Sequence, residues 1–259
     1  MANVTYSSIY DRVKALCGIP APDANAQTQI TEFINRRARI AYEATDFWPR
    51  WLVVGELRSY QSTTVNATAI VAGYTYTILT VGTTNWTLVG AASNTVGVQF
   101  VATGVGTGTG TATLNSNIVP FTQAGKPTIN KFIRVHKVYQ PFYMNSAVEL
   151  EFYVTNAGAA IVADPSSATA SAFVTYKSDW DGPYTTQSTN IPEEWQEYIS
   201  HGAYADWLRA DGKNDVAAAE EAFAQNLLDN KLASVDVVRS SGIVAHRIST
   251  HLNRSYRLS

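Results

Sequence analysis

Residues 104–114 read GVGTGTGTATL, glycine and threonine in near alternation, and the fold turns on what this run is. A phosphate-cradling loop continues into Lys-Ser/Thr and a helix, whereas this run passes into TATLNSNIVP with neither. A dinucleotide fingerprint would also need a following helix and a distant acid in a βαβ unit, and both are missing. A flexible linker would not carry the aromatics found just upstream. Tyr74, Tyr76 and Ile78, then Trp86 and Leu88, then Val96, Val98 and Phe100 recur at period two, separated by Gly, Asn and Ser turns. The run is therefore read as the closing strand and loop of a small all-β unit over 67–114, with four or five short strands. Its small residues mark where another strand or subunit approaches closely.

On either side of this unit the chain has strand character. RWLVVGELRSY (50–60) and KFIRVHKVYQ (131–140) are rich in β-branched and aromatic residues. With the unit removed they are free to pair, as the two arms of a hairpin that received an insertion. VELEFYVT (148–155) and SAFVTYKS (171–178) alternate apolar and polar residues, and NAGAAIVADPSSATA between them has turn chemistry at both ends.

Helical periodicity occupies both ends of the chain. Tyr6, Ile9, Val13 and Leu16 form one stripe, capped by Thr5 or Ser7 and stopped by Gly18, Pro20 and Pro22. A longer helix is expected from about 27 to 45 on Ile30, Phe33, Ile34, Ile40, Ala41 and Ala44, with Glu32–Arg36 and Arg39–Glu43 on its exposed side. Pro49 ends it. NIPEEWQEYISHGAYADWLRADG (190–212) places Pro192, Glu193 and Glu194 in a first turn and Trp195, Ile199, Ala205 and Leu208 on one side. A fourth helix starts at Asn214 or Asp215, with Val216, Phe223, Leu227, Leu228 and Leu232 as its stripe. From 234 the period dissolves, so 234–259 is expected as an extended tail that orders against another surface. The expected fold is α+β. An antiparallel helical bundle of about four helices with a central β region (1–66 and 115–233) carries the inserted all-β unit (67–114) and the tail.

Composition narrows the function. The chain has 259 residues, 46% of them hydrophobic and 15% charged, with a formal net charge of −2. That balance is unsuited to gripping nucleic acid by charge. A charged fraction below the usual quarter suits a surface buried against other subunits. Cys17 is the single cysteine, so no intrachain disulfide forms. No secretion signal and no apolar run of about 18 residues is present, and a soluble chain without membrane contact is expected.

A search for chemistry assigns no catalytic, metal or cofactor residue. His136, His201, His246 and His251 lack ligand spacing, and Cys17 reads as a small buried hydrophobe. Asp179, Asp181, Glu193 and Glu194 could pair as in a glycoside hydrolase, but turn formation and a helix N-terminus account for them. Tyr74, Tyr76 and Trp86 could stack on a glycan or a partner, with core packing favoured. Arg36, Arg37 and Arg39 cluster on the second helix as a possible intersubunit or channel face. In the tail, Arg239, Arg247, Arg254 and Arg257 interleave with Ile243, Val244, Ile248, Leu252, Tyr256 and Leu258, a basic, semi-apolar pattern suited to a protein groove.

The order of these parts resembles a known family. A short helix, a longer helix ending in YEATDFWPRW, a β region, then IPEEWQEYISHGAYADWLRADGKNDVAAAEEAFAQNLLDN and a tail look like the head-to-tail adaptor (connector, head completion or tail tubular) proteins of tailed bacteriophages. The segment GTTNWTLVGAASNTVGVQFVATGVGTGTGTATL is similar to β modules of phage structural proteins. The resemblance implies a non-enzymatic virion protein of the neck, made in the bacterial host cytoplasm. It would form a ring with itself, usually twelvefold, between portal protein and tail or nozzle protein. DNA would pass through its channel without sequence-specific binding, the 234–259 tail would dock on the portal, and no cofactor would be needed. A carbohydrate-binding virion protein acting through the inserted unit is the alternative, and a glycoside hydrolase a distant one.

Overall fold

The computed structural model describes residues 2–139, 149–162 and 171–255, with side chains as far as Val235. Among these residues lie four α-helices and several small antiparallel sheets, none closed. The chain divides into two compact units, Met1–Leu52 with Lys177–Ser259, and Val53–Tyr176.

The first unit is built from α1 (Tyr6–Cys17), α2 (Ala24–Glu43), α3 (Gln196–Ala210) and α4 (Asn214–Ser255), with a short ladder between β1 (Asn3–Val4) and β12 (Ile191–Pro192). Thr5 caps α1 by accepting the Ser8 amide, and Gly18 ends it in the left-handed region. Asp23 accepts the Ala26 amide and starts α2 at Ala24, three residues before the expected start at about 27. Ile9 and Val13 of α1, Ile30, Ile34, Ala38 and Ala41 of α2, Ile199 and Ala203 of α3, and Ala224 and Leu228 of α4 share one core. Trp195 closes it, stacked on Trp51 at 4.8 Å and edge-on to Trp48 at 5.5 Å. Lys177, buried, donates to the Tyr42 and Thr45 carbonyls at 2.7 and 2.9 Å and so satisfies the end of α2.

The fourth helix departs from expectation. Its backbone is helical to Ser255, not extended from 234. No proline follows Asn214, Gly242 is the lone glycine, and lengthening a formed helix is far easier than nucleating one.

The second unit holds three sheets' worth of strands: β2 (Leu52–Ser59), β3 (Ser62–Asn66), β4 (Thr75–Thr80), β5 (Gln99–Val101), β6 (Thr111–Asn115), β7 (Ile118–Pro120), β8 (Ile129–His136), β9 (Phe152–Thr155), β10 (Gly158–Ile161) and β11 (Ser171–Ser178). One expectation fails here. The strands over 50–60 and 131–140 do not pair with each other, because the sheet order is β2-β11-β8. In β11, Ala172, Val174, Tyr176, Thr175 and Lys177 are all buried, and a strand covered on both faces takes the centre of a sheet. Between the turn chemistry at the two ends of 156–170 lies a strand the sequence did not announce, β10, whose four residues are buried between β7 and β9. The second of those ends, within 163–170, lies outside the described residues.

The inserted sheet has the order β3-β6-β4-β5 and begins at Ser62. Its core comprises Tyr76, Ile78, Trp86, Val89, Phe100 and Ala112 with Ala67 and Ile70. Trp86 and Leu88 are not strand residues. They lie in a short 3-10 turn, Trp86–Val89, because Asn85 caps it at one end and Gly90 takes a positive φ at the other.

The Gly-Thr run closes against this turn. Thr109 and Thr83 exchange amide-to-hydroxyl bonds of 3.1 and 3.2 Å, and the Thr111 amide donates to Thr80 Oγ1 at 3.0 Å. Between them the glycines leave room. A Cβ at Gly110 would stand 2.5 Å from the Val81 carbonyl oxygen and 2.8 Å from Thr84 Oγ1 and Trp86 Cζ2. The alternation therefore serves two faces of one segment, threonines stitching and glycines lying flat. What approaches is not a strand or another subunit but the chain's own 81–84 turn. Gly110→Ala is expected to lower stability by about 1–3 kcal/mol through overpacking. Gly104→Ala, with nothing within 4 Å of the added carbon, should change it by less than about 0.5 kcal/mol. Thermal melts of the two variants check this; equal melting points would contradict the packing.

Candidate functional site

The arginines expected on one intersubunit or channel face differ in burial: Arg36 and Arg37 share Asp206, and Arg39 pairs elsewhere. Arg39 pairs with Glu43 along the surface of α2 at 2.8 Å. Arg36 is half exposed and bridges to Asp206. Arg37 is 4% exposed and lies inside the first unit. Its Nε and Nη2 donate to Asp206 at 2.8 and 2.6 Å, and its Nη1 and Nη2 donate to Glu221 at 2.7 and 2.5 Å. Arg209 adds bonds of 3.3 Å to Asp206 and 3.1 Å to Glu221.

This knot ties three helices. Arg37 falls in the stripe Ile30, Ile34, Arg37, Ala38, Ala41, so helical period alone puts it in the core. Asp206 stands seven residues after Ile199 on the buried side of α3, and Glu221 projects from the first half of α4. Gly202 provides the space, since a Cβ there would meet Arg37 Cδ at 2.8 Å. Burial opposes the charge on Arg37, but the bonds to Asp206 and Glu221 outweigh it and raise its pKa. The hydrogen bond from Arg37 holds Glu221 below the ordinary carboxylate range. The sequence reading missed Asp206, Glu221 and Gly202; the signal available was the charged residue inside an apolar stripe.

The acids, cysteine and histidines singled out in the sequence, where described, are held in structural contacts. Asp181 directs its oxygens to Arg50 at 2.9 Å, Asn190 at 2.7 Å and Tyr184 at 3.0 Å, and Asp179 accepts the Trp180 amide. Glu193 and Glu194 occupy the 3-10 turn ahead of α3. Burial pushes the Cys17 thiol up to about 11, which keeps it protonated near neutral pH. His136 is buried in β8 and its pKa is lowered by desolvation. His201 meets Glu220 at 2.8 Å, joining α3 to α4. Among the described residues no three His, Cys, Asp or Glu groups are placed to hold a metal. An open cleft of about 250 Å³ is lined by Tyr6, Tyr10, Lys14, Pro22, Gln27, Thr31 and Thr186 and gathers no acid–base pair.

No family model, curated protein or solved structure matches this chain. In the inserted sheet, Tyr76 and Trp86 are core residues with no face to offer a glycan, and of the three aromatics singled out only Tyr74 is exposed. The side chains of Arg239, Ile243, Val244, Arg247, Ile248, Leu252 and Arg254 lie outside the described residues, as do Tyr256, Arg257 and Leu258 altogether. His246 and His251 share that position. No described helix is long and apolar enough to cross a membrane.

Proposed function

We propose that the chain is a structural head-to-tail adaptor of a tailed bacteriophage, a protein without turnover that joins portal to tail and continues the DNA channel. In this reading the four helices act as an antiparallel bundle that packs copy against copy in a closed ring, and α4 is the arm that reaches the portal. The observation that carries it is α4 itself. At 42 residues, it is roughly 63 Å long at 1.5 Å per residue.

The apolar pattern along α4 supports the arm. Leu228, Leu232 and Val235 belong to the unit's own core or pack on it. Beyond Val235 the sequence keeps Val237, Val238, Ile243, Val244, Ile248 and Leu252 among Arg239, Arg247 and Arg254, a basic, semi-apolar composition suited to a groove on a protein partner. A near-neutral chain suits a channel that DNA must slide through.

Deletion of 234–259 should leave the first unit folded and abolish joining to portal rings. Co-sedimentation with purified portal, together with circular dichroism of the truncated chain, tests this. A truncated protein that still binds portal as the full chain does would remove the arm from the account.

A further inference from the structure

From Ser59 to Gly125 the sequence contains no Asp, Glu, Lys, Arg or His. The whole inserted sheet falls inside this stretch. Its surface still presents Val71, Tyr74, Leu79, Leu88, Val96, Val101 and Val105 as exposed apolar side chains. A surface of this kind has no charge with which to compensate an ion buried against it, so it favours an uncharged counterpart.

One edge of the sheet is also unprotected. Strand β3, STTVN, is an edge strand of five residues without charge, proline or bulge, and Ser62, Thr63, Thr64 and Asn66 are exposed. Proteins commonly blunt such edges. Elsewhere in this chain β2 carries Glu56 and Arg58, β8 carries Lys131 and Arg134, and β7 ends in Pro120. At the opposite edge of the inserted sheet, β5 has three residues, too few to template a partner strand.

The register shows which groups are free. Ser62 pairs with Asn115 and Asn66 with Thr111, and in the same register the Ala67 amide donates to the Gly110 carbonyl at 2.9 Å. Hydrogen-bonded pairs alternate along an antiparallel ladder, so residues 63 and 65 bond to β6. The amides and carbonyls of Ser62, Thr64 and Asn66 therefore point away from the sheet.

We propose that two copies of this chain join edge to edge through β3, antiparallel about a two-fold axis at Thr64. Thr64 then faces Thr64, and Ser62 faces Asn66 on each side. The contact makes about six interchain backbone hydrogen bonds and merges the two four-stranded sheets into one. Because the axis is perpendicular to the sheet, Ser62, Thr64 and Asn66 stay on one face, and a Thr–Thr pair at the centre is a favourable cross-strand match. The contact is isologous and closes at two copies, whereas ring contacts are heterologous. It does not depend on the adaptor reading.

Sedimentation equilibrium of the full chain without portal tests the proposal. The wild type should show a monomer–dimer equilibrium that changes less than twofold between low and high salt. Thr64→Lys sets lysine opposite lysine and should weaken it at least tenfold; Ser62→Lys, which faces Asn66, should weaken it less. Leu88→Lys adds the same charge at an exposed site away from the edge and should stay within twofold. A wild type that is monomeric throughout, a Thr64→Lys dimer as strong as the wild type, or an equal loss in Leu88→Lys would overturn the proposal. None of these outcomes bears on whether the chain assembles on portal.

Discussion

Arg37→Met should destabilise the first unit by about 3–5 kcal/mol, the usual cost of removing one partner from a buried ion pair. The substitution keeps much of the aliphatic volume beside Gly202 but leaves Asp206, 3% exposed, and Glu221 without their shared guanidinium. Arg36 and Arg209 remain on Asp206 but approach from half-exposed positions. Arg39→Ala, two residues away on the surface, should cost under about 0.5 kcal/mol. Urea denaturation followed by helical circular dichroism separates the two variants. Replacing Arg37, Asp206 and Glu221 together by apolar residues should recover much of the loss, because the penalty lies in the unpaired charges.

The same knot sets an acid dependence. Glu221 has its folded pKa depressed below the ordinary 4.5, chiefly by the Arg37 hydrogen bond. Its contribution is therefore fully present above 4.5 and is lost as pH falls through the lower, folded value. Wild-type stability should decline in that window, and Arg37→Met should show a shallower decline there.

Trp86→Ala should cost the second unit about 3–5 kcal/mol, as expected for deleting a large buried aromatic. Trp86 is fully buried, packs on Phe100 at 5.7 Å and closes over Gly110. Its loss leaves a cavity where the 3-10 turn, β5 and the Gly-Thr run meet. The helical circular dichroism should persist while the near-ultraviolet signal of the inserted sheet is lost. A stability loss below about 1 kcal/mol would mean that the indole is not the centre of this core. The result also bears on sugar binding. Any binding lost with Trp86→Ala would report collapse of the sheet, and Tyr74→Ala is the informative substitution.

Local signals carried much of the fold. Thr5 and Gly18 mark helix ends through capping chemistry that acts within a few residues, and Tyr76 and Ile78 alternate as a half-buried strand must. What escaped depends on distant partners. The central place of β11 follows from burial on both faces, which strand composition does not specify. Trp86 and Leu88 are two residues at period two, a pattern too short to separate a strand from a capped turn. The charge of Arg37 points to an intersubunit or channel face, whereas its position in the stripe of α2 places it inside. The close approach at Gly110 was legible as small residues, but not the segment that approaches.

The adaptor reading is tested most directly by the mass of the purified chain, measured with and without its cognate portal protein. Alone, the account predicts a species no larger than a dimer. With portal, it predicts a closed ring of this chain bound to the portal ring in fixed stoichiometry. A chain whose mass is unchanged by portal, with both proteins folded, would contradict it.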